Sequence, residues 1–168
     1  MSASGRGAGS ELGSADLSWC AVLEHHAIRS PDRPITVFEG ETTTYGDMAA
    51  RVAALAGGLA ERGVGMGDVV ALLSYNCPEL LETIFAANHL GAIAMPINWR
   101  LAAADLRFIL EHSEARALVC DDACIDLANA ATGDLDSDLV RVCTSTEHHA
   151  GWERFADLGA EPARPSRA

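Results

Sequence analysis

The sequence predicts an α/β protein of three layers, a mostly parallel sheet flanked by helices, led by an N-terminal helix and a β-hairpin. Three observations carry this reading. Short apolar runs, such as VVALL at 69–73 and ALVC at 117–120, are apolar throughout instead of alternating, as suits strands buried on both faces. Helical patterns separate these runs. From residue 68 onward, strand and helix alternate at least three times.

Residues 16–29, DLSWCAVLEHHAIR, read as a helix opened by Asp16 and stopped before Pro31. ITVFEGETTTY follows as a hairpin whose arms, Ile35–Phe38 and Thr42–Tyr45, flank a turn containing Gly40. The next helix, 46–62, is predicted from Met48, Val52, Leu55 and Leu59, which fall on one helical stripe. Thr44 and Asp47 form its N-cap pair. Gly63, Gly65 and Gly67 come next, in ERGVGMGDVV. A phosphate loop requires strand, glycine loop and helix in that order, so that amides at a helix start converge on the anion. Here a helix precedes the glycines and a strand, 68–75, follows. Gly63 is therefore expected to cap a helix.

Pro78 starts a helix, PELLETIFAANHLG, which ends at Gly91. The strand AIAMPIN leads through WRLAA into the helix DLRFILEHS. Then come the strand ALVCD, a short helix over Asp122–Ala131 and the strand DLVRVCT. One helical segment, GWERFADLG, follows, and AEPARPSRA reads as a disordered end. The organisation expected is a flexible leader at 1–15, one α/β unit at 16–146, and a short helix with a tail at 147–168.

A chain of 168 residues, 49% hydrophobic and 21% charged, suits one globular domain with a substantial core. Its net charge of −12 with no basic stretch excludes a nucleic-acid backbone as partner. No apolar run reaches the length of a membrane span. MSASGRGAGSELGSA lacks the apolar core of a secretory signal, so a cytoplasmic location is expected. All 12 basic residues are arginine. Chemistry that needs a lysine cannot be completed by this chain.

The five cysteines, Cys20, Cys77, Cys120, Cys124 and Cys143, are irregularly spaced and read as reduced and partly buried. Cys120 and Cys124 with Asp121, Asp122 and His148–His149 make a metal set on paper, but their spacing matches no common zinc pattern, and no metal is expected.

In an open parallel sheet, ligands bind beyond the carboxyl ends of the strands. The candidates there are Asn76, in Ser74–Tyr75–Asn76, and Asn98, Trp99 and Arg100 after the next strand. Arg100 suits an anion, and Trp99 a stacking or pocket-filling role. Local hydrogen bonds that terminate strands, and packing of Trp99 under a neighbour, account for the same residues. No catalytic residue is assigned. His89 reads as a helix-end residue, and neither His25–His26 nor His148–His149 has a relay partner placed by sequence. TST at 144–146 reads as a strand end.

From PDRPITVFEGETTTYGDMAARV to GAIAMPINWRL, the sequence resembles the N-terminal segment of AMP-forming acyl-CoA synthetases, within the adenylate-forming superfamily. The TYG helix start, the RGVGMGD turn, Asn76–Glu79, PINWRL and DLRFILEHS carry the resemblance, which spans about residues 17–158. PINWRL is similar to fatty-acid and related acid–CoA ligases. The resemblance implies the first subdomain of the adenylate-forming fold, and an activity that joins a carboxylic acid to ATP and then transfers the acyl group to coenzyme A with magnesium. No segment matches the family's phosphate loop or its later motifs, so no cofactor is expected on this chain itself. It reads as the front of a fatty-acid or related acid–CoA ligase, inactive alone. The alternative is an interaction module that pairs with a ligase or with itself.

Overall fold

The computed structural model describes residues 18–135 and 138–158. The expected leader and the last ten residues lie outside them. The elements are α1 (Trp19–Arg29), β1 (Pro34–Phe38), β2 (Glu41–Thr44), α2 (Tyr45–Glu61), β3 (Val69–Leu73), α3 (Pro78–His89), β4 (Ile93–Pro96), α4 (Ala103–His112) and β5 (Ala115–Cys120). A 3-10 turn (Asp122–Cys124), α5 (Ile125–Thr132), β6 (Val140–Cys143), β7 (Glu153–Arg154) and α6 (Phe155–Leu158) complete them.

β1 and β2 form a separate antiparallel hairpin. The other five strands make one wholly parallel sheet in the order β4-β3-β5-β6-β7. Alternation along the strands divides the core. Val70, Ala117, Val119 and Val142 face a cluster built with α1, α2 and α3. Ala71, Leu73, Leu118, Cys120 and Cys143 face the cluster containing α4 and α5. The three-layer fold follows from this division, because each strand must be apolar on both faces.

α2 shows how local sequence sets the frame. Met48, Val52, Leu55 and Leu59 are all at most 3% exposed. Burying each side chain of this kind contributes about 1.5–3 kcal/mol. At the helix start, Thr44 Oγ1 accepts the Asp47 amide at 3.2 Å, and the Asp47 carboxylate accepts the Thr44 amide at 3.4 Å. The Thr44 hydroxyl also donates to the Asp47 carboxylate at 2.7 Å, and this bond, ahead of the Thr44 amide, holds the Asp47 carboxyl below its ordinary range. At the other end, the Gly63 amide donates to Ala60 and the Val64 amide donates to Leu59, a Schellman closure with Gly63 at φ 81°.

Three expectations need correction. α1 is capped by Ser18, whose hydroxyl accepts the Ala21 amide at 3.1 Å; Asp16 is outside the described residues. Residues 153–154 are a strand, with only Phe155–Leu158 helical after it. Because β7 pairs with β6, the boundary expected at residue 146 falls between two strands of one sheet. No helix among the described residues is long and apolar enough to cross a membrane.

Candidate functional site

The chain leaves β3 through residues 74–77 toward α3 on one face of the sheet. The segments after β4 and β5 lead to α4 and α5 on the other face. Neighbouring connections diverge at the carboxyl ends of the strands, the usual ligand position in such sheets. Hydrogen bonds hold this edge in register. The Ile97 amide donates to Leu72 at 2.8 Å, Asp121 to Leu73 at 2.9 Å and Thr144 to Cys120 at 2.9 Å.

Two groups of side chains line this edge. In the first, the rings of Tyr75 and Trp99 lie 4.5 Å apart, and the Arg100 guanidinium sits 4.0 Å from the Trp99 ring centroid. A cation so placed is held by the ring quadrupole while its N–H groups stay open to solvent. Asn98 Oδ1 accepts the Arg100 amide at 3.0 Å, which fixes the turn that presents the arginine. Arg100 is exposed, and among the described residues no salt bridge engages it. Asn76 is exposed beside Tyr75. Asn98, Trp99 and Arg100 thus form one unit, reached by the β3 segment through Tyr75. Both roles open in the sequence, strand termination by Asn98 and packing of Trp99, are present in this geometry.

The second group is drawn from the segments after β3, β5 and β6. The Ser74 hydroxyl is 3.3 Å from Cys77 Sγ and 3.5 Å from an Asp121 carboxylate oxygen. Half-burial pushes the Cys77 thiol up, so it is not an activated nucleophile. His149 Nε2 stands 2.7 Å from Asp122 Oδ1. Hydrogen bonds from His149, then from Ser145, hold the Asp122 carboxyl below its ordinary range. Cys120, by contrast, is buried and strongly raised, first by desolvation. It belongs to the core. The sequence already named Asp122 and His149; it did not name Trp152. That buried indole donates to Asn129 on α5 at 2.8 Å, and its amide donates to the His149 carbonyl at 3.1 Å, so it anchors the histidine segment.

The glycine turn lies at the opposite, amino-terminal end of the sheet, just before β3. Its amides are already engaged. Gly65 donates to the Asp68 carboxylate at 2.7 Å, and Gly67 donates to the Gly91 carbonyl at 2.9 Å. A carboxylate already occupies the amide that an anion would need, so the turn does not fit a nucleotide phosphate.

The family model described as "AMP-binding enzyme" matches residues 23–166. A long-chain-fatty-acid–CoA ligase of Thermus thermophilus is 33% identical over 129 residues, covering 77% of this chain and 24% of the relative. Naringenin synthase of Pestalotiopsis fici is 38% identical over 66% of this chain but only 4% of its own length. Among solved structures, a chain described as a long-chain-fatty-acid CoA ligase of Rhodopseudomonas palustris CGA009 superposes with a TM-score of 0.80 at 31% identity, covering 87% of this chain and 37% of that one. The chain therefore spans about a quarter or less of the length of these two curated relatives. The parallel sheet and a family match over most of its residues lead to one conclusion: this chain belongs to the AMP-binding enzyme family.

Proposed function

We propose that the chain is the leading sheet-and-helix unit of an AMP-forming acid–CoA ligase acting on a fatty or related carboxylic acid in the cytoplasm. The observation that carries this reading is the likeness to acid–CoA ligases over most of the chain, at 31–33% identity in both sequence and structure. ATP, magnesium and coenzyme A belong to the complete activity. Phosphoryl chemistry of that kind relies on cations placed against phosphate. The chain has no lysine, and the amides of Gly63, Gly65 and Gly67 are already hydrogen-bonded. The chain's part is to wall the substrate cleft. In this proposal Asn76, Asn98, Trp99 and Arg100 border the substrate cleft, with Arg100 meeting an anionic group of the ligand.

The chain alone is expected to give no acid-dependent exchange of pyrophosphate into ATP. Exchange should appear when it is combined with the separately produced remainder of a homologous acid–CoA ligase, and Arg100→Ala should lower it. Exchange by the chain alone, above background and dependent on a fatty acid, refutes the proposal.

One observation favours the second reading, an interaction module. Val37 and Phe38 on the hairpin and Phe108 on α4 are exposed. Phe85 on α3 and Leu106 and Leu110 on α4 are buried. Exposed aromatic and branched side chains of this kind suit a partner surface, either a ligase segment or a second copy.

A further inference from the structure

We propose that Asp122, Cys143 and His149 form a binding site for one divalent metal ion of borderline softness, with zinc the best match. The three come from different segments at the carboxyl edge of the sheet. Asp122 opens the 3-10 turn after β5, Cys143 closes β6, and His149 lies in the segment that follows. Their potential ligand atoms all lie within 4.8 Å of one another. A tetrahedral zinc, with bonds of about 2.3 Å to sulfur and about 2.0–2.2 Å to nitrogen and oxygen, sets its ligand atoms roughly 3.4–3.6 Å apart. Movements of about an ångström therefore convert the observed cluster into a coordination shell. The pair of Asp122 and His149 alone accounts for two of the positions. It does not require a thiol within reach of both.

The supporting frame is held independently of any ion. Cys143 is in register with Cys120 across the β5–β6 ladder. The Asp121 carboxylate accepts the Ala123 amide at 2.9 Å and caps the turn that carries Asp122. Trp152 ties down the His149 segment. Cys143 is 1% exposed, whereas Asp122 is open to solvent and His149 partly so. An ion enters from the carboxylate side and meets the thiol last, releasing the thiol proton to solvent as the sulfur binds. Three protein ligands leave a fourth position for water or a ligand. The donor set distinguishes this site from the magnesium of ligase chemistry, because magnesium takes oxygen ligands and avoids sulfur.

The sequence argued against zinc from the spacing of Cys120 and Cys124. The structure changes the sulfur: Cys143, 21 residues beyond Asp122 in the chain, takes the place expected of those two. It reads in sequence as an ordinary core residue of β6.

The test is titration of the chelator-treated chain with zinc alone, followed by cobalt substitution. Expected are one equivalent of bound zinc and a cobalt spectrum with a thiolate charge-transfer band that Cys143→Ser removes. Asp122→Asn and His149→Gln should each weaken zinc binding by about tenfold or more, while His148→Gln at the exposed neighbour leaves it unchanged. The Asp122 and His149 variants change groups outside the core, so they remain informative if Cys143→Ser fails to fold. Absence of saturable zinc binding, or zinc affinity unchanged in both Asp122→Asn and His149→Gln, overturns the proposal. Neither result bears on pyrophosphate exchange.

Discussion

Gly58, in the last turn of α2, should respond to alanine in the direction opposite to helix propensity. In an ordinary helix interior, replacing glycine with alanine stabilises by about 0.8–1 kcal/mol. Here a Cβ would overlap the Leu158 carbonyl oxygen and lie 2.7 Å from its carbon and 3.1 Å from its Cα. Backbone cannot swing aside as a side chain can, so α6 must lift off α2. Leu158 is 3% exposed, and losing the burial of such a side chain costs about 1.5–3 kcal/mol. The difference leaves Gly58→Ala destabilising by about 1–2 kcal/mol. Urea denaturation followed by far-ultraviolet circular dichroism measures it. A sign reversal supplies the control. In a chain ending at residue 154, which lacks the opposing backbone, the same substitution should stabilise by up to about 1 kcal/mol. Stabilisation of the parent chain to that same extent would refute the steric account.

Two further substitutions test the frame. Gly63→Ala places a Cβ at φ 81° and 3.0 Å from an Arg116 nitrogen, and should destabilise by about 1 kcal/mol or more in the same denaturation assay. Glu82 is buried against Arg51 at 3.2 Å, yet desolvation outweighs the arginine and raises its carboxyl above the ordinary value of 4.5. Its protonated form is the one the fold favours. The associated stability is fully present below the unfolded value and is lost as pH rises through the raised one. Glu82→Gln has no such proton, so its stability relative to the parent should climb across that window; a difference independent of pH rules this out.

The fold was legible where apolar spacing carries it. The α2 stripe, the reciprocal cap at Thr44 and the helix-ending role of Gly63 all depend on residues within a few positions of one another. The position of β7 was not legible. Glu153 and Arg154 are exposed and too few to show a strand pattern, and only the edge of β6 makes them one. The need for glycine at 58 was equally hidden, because its cause is a backbone 100 residues later. In the candidate site, Asn98, Trp99 and Arg100 were found together because they are adjacent in the chain. Cys143 was missed because nothing in VRVC separates a sulfur facing a carboxylate and an imidazole from one facing leucines.

The strand order has a consequence for synthesis. β3, whose last four residues are fully or almost fully buried, is the first strand of the sheet to emerge from a ribosome. The strands that cover its two edges end at Pro96 and Cys120. For that interval VVALL is an uncharged segment with both edges open, the condition in which nascent chains associate wrongly. A translational pause once residue 73 has left the exit tunnel prolongs this exposure, whereas a pause once residue 120 has left it falls when both neighbours are present. Codon speed at these two places should therefore affect the yield of folded chain differently, with the protein's composition unchanged.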